Sequence, residues 1–144
     1  MVEQDAAHDT PGPVLVDSSV LLDVLSDDPK WSAWSSAALA RLGDESPLVI
    51  NQVVYAEVSV RFERLEELEL ALSQRWLRKE TLPWEAAFLA AKAFVRYRRA
   101  GGSARSPLPD FFIGAHAAIR GYRLLTRDPR RHRTTFPKLA LITP

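Results

Sequence analysis

The sequence predicts an α/β fold, a mainly parallel sheet covered by helices on both faces. Three observations lead there. Val14-Leu15-Val16, Leu48-Val49-Ile50 and Leu124-Leu125 are short, uniformly apolar runs of the kind found in strands buried on both sides. Longer amphipathic segments separate them, the alternation expected of parallel strands joined through helices. The 144 residues, 47% hydrophobic, suit one domain with a real core, and neither an internal repeat nor a composition shift calls for a second.

In chain order, residues 1–12 read as a flexible lead-in to a domain spanning 13–144, because Thr10-Pro11-Gly12-Pro13 breaks regular structure. The first strand is Val14–Val16, and Ser18 or Ser19 opens a helix that Asp27-Asp28-Pro29 breaks. Trp31, Trp34, Ala38 and Leu42 have helical spacing, with Gly43 as the expected stop. After the second strand, Asn51 is placed to cap a helix bearing Val53, Val54, Glu57, Val58 and Arg61. Glu63 to Leu72 reads as a further helix, and Thr81-Leu82 as a third strand starting near Arg78. A long helix over Glu85–Arg99 follows, then a flexible glycine-rich loop, residues 101–107. Asp110 falls in the first turn of a helix that Gly121 ends. Residues 123–126 form a fourth strand and Leu139–Ile142 a last one.

Composition removes several classes. No apolar run approaches the roughly 20 residues that span a bilayer, and Met1–Gly12 has no apolar stretch of the secretory kind. With no cysteine there is no disulfide framework and no thiolate metal site, and cytoplasmic residence is expected. The net charge of +1 conceals an asymmetry. Residues 1–91 hold sixteen acids against seven Lys/Arg, a net of −9; residues 92–144 hold two acids against twelve Lys/Arg, a net of +10. The basic half suits a polyanion, although an arginine-rich solvated surface explains it equally well.

Ligands of open parallel sheets bind beyond the carboxyl ends of the strands. Asp17 follows the first strand directly, and Asp128 lies just past the fourth. Glu57 lies on the helix after the second strand, and Asp110 opens the helix that precedes the fourth. Carboxylates gathered at one edge repel each other, and an oxygen-preferring dication such as Mg²⁺ or Mn²⁺ relieves that repulsion. Zinc is not expected from three histidines and no cysteine. Each acid also has an ordinary role: Asp17 as a helix cap, Glu57 as a surface partner of Arg61, Asp110 as a dipole-favoured helix acid, Asp128-Pro129 as a turn. His116 reads as a packed or surface helix residue rather than a ligand, and the four tryptophans as core-compatible rather than base-stacking.

Taken together, the segments resemble the PIN-domain nucleases, and within them the VapC-type toxins of bacterial toxin–antitoxin pairs. The resemblance rests on Val14-Leu15-Val16-Asp17-Ser18-Ser19-Val20, Asn51-Gln52-Val53-Val54-Tyr55-Ala56-Glu57, Leu108-Pro109-Asp110-Phe111-Phe112-Ile113-Gly114-Ala115-His116-Ala117 and Leu124-Leu125-Thr126-Arg127-Asp128-Pro129-Arg130-Arg131, closed by Phe136-Pro137 through Pro144. It spans Val14 to Pro144; Ser18-Ser19 stands where that family often has Thr-Asn or Thr-Ser.

The resemblance implies a three-layer α/β/α sandwich and Mg²⁺ or Mn²⁺ at a cluster of Asp17, Glu57, Asp110 and Asp128. Asp17 and Asp110 would be the direct ligands, and Glu57 and Asp128 would act through water or a second position. Ser19 and Thr126 would steady the carboxylates; on charge, Arg127 and Arg131, basic residues near the last strand, are expected to engage substrate phosphates or, without metal, to pair with the acids. The implied activity is endonucleolytic hydrolysis of RNA, the implied partners a VapB-like antitoxin and a second copy of the chain. A catalytically silent nucleic-acid- or protein-binding module, or a DNA-directed nuclease of the same fold, stands as the alternative. A phosphoryl-accepting receiver lacks its acidic pair here, and a dinucleotide enzyme lacks its glycine-rich turn after the first strand.

Overall fold

The computed structural model describes residues 12–74, 76–102 and 108–144, and of Arg131 its backbone only. The expected lead-in and most of the glycine-rich loop therefore lie outside the described residues. Five strands, β1 (Val14–Val16), β2 (Leu48–Ile50), β3 (Leu77–Lys79), β4 (Arg123–Leu125) and β5 (Leu141–Ile142), form one sheet in the order β3-β2-β1-β4-β5. Every pairing is parallel, with Val16 opposite Leu125 and Leu48 opposite Leu77. Seven helices connect them: α1 (Ser18–Leu25), α2 (Ser32–Glu45), α3 (Gln52–Ser59), α4 (Leu65–Ala71), α5 (Trp84–Arg99), α6 (Leu108–Arg120) and α7 (Arg130–Thr135).

Every residue of β1 and β2 is buried, so helices must cover both faces of the central strands, as the uniform apolar runs predict. One core gathers the sheet with Val20, Leu42, Val54, Ile113 and Ala117. A second lies between α5 and α6, where Ala86, Ala90 and Ala93 meet Phe111 and Ala115. The alanines recur at i, i+4 and i+7, which clears one flank of α5 for the Phe111 ring; Phe94 and Tyr97 meet that ring edge-on, with centroids 5.4 and 5.5 Å away. Helix α6 is thus apolar on opposite sides, toward the sheet and toward α5.

Four sequence expectations shift. Helix α2 runs through Gly43 and ends instead before Pro47, which forces Ser46 into extended backbone. The third strand, expected from near Arg78 through Thr81-Leu82, is Leu77–Lys79 and stops short of Thr81-Leu82; Pro83 begins the next turn, and the Leu82 amide is taken by Oε1 of Gln52. The helical stretch expected over 63–72 is confined to Leu65–Ala71. Helix α7 was not expected at all, since Arg130–Thr135 carries no apolar periodicity. Gly121 does end α6, with φ of 70°.

Candidate metal centre

The chain fills β1, β2 and β3 toward one side of the sheet and β4 and β5 toward the other. Its direction of winding reverses between β1 and β4, and open α/β sheets bind ligands at that point. Asp17 leaves β1 there and Thr126 leaves β4 there, and the Asp17 amide donates to the Leu125 carbonyl at 2.9 Å, extending the ladder by one residue.

Asp17 stands at the N-cap position of α1, yet its side chain makes no capping bond. Instead Oδ2 accepts from the Thr126 hydroxyl at 2.7 Å and the Ser19 hydroxyl at 3.0 Å, while Oδ1 faces the Ser18 hydroxyl at 3.5 Å. The carboxylate is 4% exposed. Burial would push its pKa up; the His132 imidazole and the Thr126 and Ser19 hydroxyls more than offset that and hold it below the ordinary aspartate value. A buried carboxylate kept ionised in this way is prepared for a cation.

The Ser18 hydroxyl donates to Oε1 of Glu57 at 2.8 Å, tying α3 to the start of α1. Burial first, and then the charges of Asp17 and Asp110, push the Glu57 carboxyl upward, against the Ser18 bond. That mutual repulsion places the three carboxylates in one field. Among the described residues no ion pair joins Glu57 to Arg61, so the surface-pair role does not apply. Asp110 comes in from the first turn of α6.

One ligand atom each from Asp17, Asp110 and His132 lies within 4.8 Å of the others. His132 was not among the residues singled out by sequence. It is 3% exposed, on α7, with Nε2 3.9 Å from Oδ2 of Asp17. That separation is long for a hydrogen bond and short for an electrostatic contact. Its only sequence signal is its place four residues beyond Asp128, one helical turn away. Gly114 makes the approach feasible: a Cβ there would lie 2.7 Å from the Phe136 ring and 3.2 Å from Nδ1 of His132, so a larger residue would force α7 off α6.

Asp128 is exposed and lies outside this group; its amide donates to Oγ1 of Thr126 at 3.1 Å. It borders a cavity shared with Tyr97, Arg130 and Thr134, and Arg96 lines an adjoining one with Tyr97 and Thr134. Arg127 points elsewhere. Its Nε donates to Oδ2 of buried Asp23 at 3.0 Å, which also takes the Ser35 hydroxyl at 2.9 Å, and its guanidinium lies 5.7 Å from the centre of the Trp31 ring. The Arg127 amide donates to the Ser19 hydroxyl at 3.3 Å, so this pair braces the loop behind Asp17. The Arg131 side chain lies outside the described residues.

His116 is a packed residue, fully buried. Oδ1 of Asn51 takes the amides of Val53 and Val54 and caps α3, leaving Nδ2 to donate to Nδ1 of His116 at 3.0 Å. Nε2–H of His116 must then donate to Glu80 at 2.7 Å, and the Tyr122 hydroxyl donates to the other Glu80 oxygen at 2.7 Å. This network fastens α3, which carries Glu57, to α6, which carries Asp110.

A roomier cavity of about 460 Å³, between the end of α6 and residues 135–140, holds no carboxylate. The chemistry belongs to the carboxyl ends of β1 and β4, where buried Asp17, half-buried Asp110, a glutamate linked through a serine and an imidazole suit a divalent cation.

Known proteins bear on the arrangement in two ways. The structure superposes on VapBC2 from Rickettsia felis bound to a promoter DNA fragment with a TM-score of 0.69 at 15% identity, over 91% of this chain and 98% of that one. It superposes on FitAcB from Neisseria gonorrhoeae with 0.66 at 17%, over 90% and 96%, and on VapBC-1 from nontypeable Haemophilus influenzae with 0.67 at 16%, over 91% and 97%. At such identities the likeness is one of fold. No curated protein sequence matches the chain. The PIN domain profile matches residues 14–137, a span that begins with β1 and takes in Asp17, Glu57, Asp110, Asp128 and His132. With its parallel sheet, its carboxylates at the winding reversal and that match over most of its length, the chain belongs to the PIN domain family.

Proposed function

We propose that the protein is a divalent-metal-dependent endoribonuclease and the toxin of a VapBC-type pair, acting in the cytoplasm. The observation that carries the reading is Asp17, buried and held ionised by His132 and two hydroxyls, in a group with Asp110 and in the field of Glu57. Asp17 and Asp110 would hold Mg²⁺ or Mn²⁺ directly, with Glu57 reaching it through water. Asp128, at the rim, would complete a second position. When bound, the ion supplies Lewis acidity toward a phosphate oxygen and a water acidic enough to attack at neutral pH.

The protein's part is to aim. Ser19 and Thr126 fix the Asp17 oxygens, and Ser18 fixes Glu57, so the carboxylates need little reorganisation at the moment of reaction. Arg96 and Arg130, beside the Asp128 cavity, are better placed than Arg127 to meet the phosphates of a strand crossing the edge. Hydrolysis would break the P–O3′ bond and leave a 5′-phosphate and a 3′-hydroxyl.

The likeness to VapBC structures supports a VapB-like antitoxin as partner, and the family resemblance implies a homodimer. Exposed Trp84 and Phe88, one turn apart on α5, supply apolar surface for such contacts. Among the described residues no helix is long and apolar enough to cross a membrane.

The test compares single-stranded RNA and DNA of one sequence with Mg²⁺, with Mn²⁺ and with a chelator, together with growth after expression without an antitoxin. Metal-dependent cleavage of RNA and growth arrest are expected. Cleavage of DNA alone, or binding without cleavage, would overturn the reading.

A further inference from the structure

We propose that His132 is a protein ligand of this metal, giving an Asp17–Asp110–His132 donor set that favours imidazole-accepting transition dications such as Mn²⁺ over Mg²⁺. The proposal rests on the metal-site reading above and concerns which ion the site selects.

The geometry points to it in three ways. Nε2 of His132 lies 3.9 Å from Oδ2 of Asp17, and one ligand atom each from Asp17, Asp110 and His132 lies within 4.8 Å of the others, close enough for one ion to draw them together. The ring is also oriented: Nδ1 faces the α6 backbone at Gly114, which leaves Nε2 for the carboxylates. Finally, the imidazole is 3% exposed, so Nε2 meets the carboxylates away from bulk water.

The donor chemistry sets the preference. Mg²⁺ keeps its waters and takes oxygen ligands, whereas imidazole suits the first-row transition ions. Substituting one carboxylate oxygen by a neutral nitrogen therefore costs Mg²⁺ more than Mn²⁺. The competing arrangement is a protonated His132 acting as a counter-ion to Asp17, in which the ring would be displaced by any cation.

The experiment is electron spin-echo envelope modulation on the intact protein loaded with Mn²⁺. Nitrogen modulation from a bound imidazole is expected, shifting in frequency when the protein is labelled with ¹⁵N-histidine. It should be lost in His132→Gln and kept in His8→Gln. In parallel, His132→Gln should weaken Mn²⁺ by about tenfold or more and Mg²⁺ by less. If His132→Gln does not fold, the labelled wild-type protein and His8→Gln decide the matter, because His116 is already held by Asn51 and Glu80. Mn²⁺ binding without histidine modulation, or equal weakening of both ions, would overturn the proposal and leave the nuclease reading standing. No binding of either ion would overturn both.

Discussion

Thr126 donates its hydroxyl to Oδ2 of Asp17 at 2.7 Å, joining the residue after β4 to the residue after β1 across the winding reversal of the sheet. Oγ1 of Thr126 in turn accepts the Asp128 amide at 3.1 Å. One hydroxyl therefore orients an acid and shapes the loop that leads to another. Thr126→Val is expected to keep the side-chain volume, cost about 1–3 kcal/mol of stability through two unmet partners, and weaken metal binding by roughly tenfold or more. Thr126→Ser should recover most of both. Denaturant unfolding and a metal titration on the two variants check this.

The Asp23–Arg127 pair gives an asymmetric prediction. Asp23 is 3% exposed, whereas Arg127 is about one-third exposed. Arg127→Gln leaves a buried carboxylate with only the Ser35 hydroxyl and is expected to cost about 2–4 kcal/mol. Asp23→Asn leaves an arginine that can turn to solvent and should cost less. Equal losses in thermal unfolding would show that Arg127 is not bracing this loop.

The Asn51–His116–Glu80–Tyr122 network makes stability pH-dependent. Burial holds the His116 pKa below its ordinary value, against the pull of Glu80 and with help from the charge of Arg120. The unfolded chain then takes up a proton that the fold refuses, so stability falls as pH drops below about 6.5. For Glu80, burial raises the pKa but the bonds from Tyr122 and His116 outweigh it and set it below the ordinary value. Its contribution is present above the ordinary glutamate range and is lost as pH falls through the lowered value. Thermal melts should show Tm declining in two stages, one as pH drops below about 6.5 and one setting in only below the ordinary glutamate value of 4.5, and His116→Gln should remove the upper stage.

Gly114→Ala tests the packing that brings α7 to the site. The added methyl would stand 2.7 Å from Phe136 and 3.2 Å from His132. Overpacking of this kind costs about 1–3 kcal/mol. Since α7 must move, metal affinity should fall together with stability, whereas Gly12→Ala, with nothing within 4 Å, should change neither. Measuring Tm and Mn²⁺ affinity on both variants checks the coupling.

What the sequence made legible follows from where each residue's partners lie. Strands β1 and β2 announced themselves because burial on both faces demands uniform apolarity. Strand β3 did not, because it is the sheet edge: Arg78 and Lys79 are exposed, and nothing in Leu77-Arg78-Lys79 alternates. Helix α7 was hidden for a related reason. Its residues form no apolar stripe, and it is anchored by Phe136 and the notch at Gly114. Asp17, Asp110 and Asp128 were visible because each sits just past a strand or in a first helical turn, whereas Glu57, in the second turn of α3, stood out only through the family-like segment around it. His132 was not, since a lone histidine in an arginine-rich stretch has no spacing that refers to Asp17, more than a hundred residues away. Arg127 was expected at substrate phosphates on charge alone; only the fold brings Asp23 beneath it.

The most direct measurement of the central claim is the rate of Mg²⁺- or Mn²⁺-dependent RNA cleavage by purified, folded Asp17→Asn, set beside the native protein and Asp110→Asn. The amide keeps the shape of the side chain but removes the charge that a cation requires. Loss of cleavage by at least about a hundredfold in both variants is predicted, a step of roughly 2.7 kcal/mol in the barrier. Unchanged cleavage in either folded variant would contradict the account.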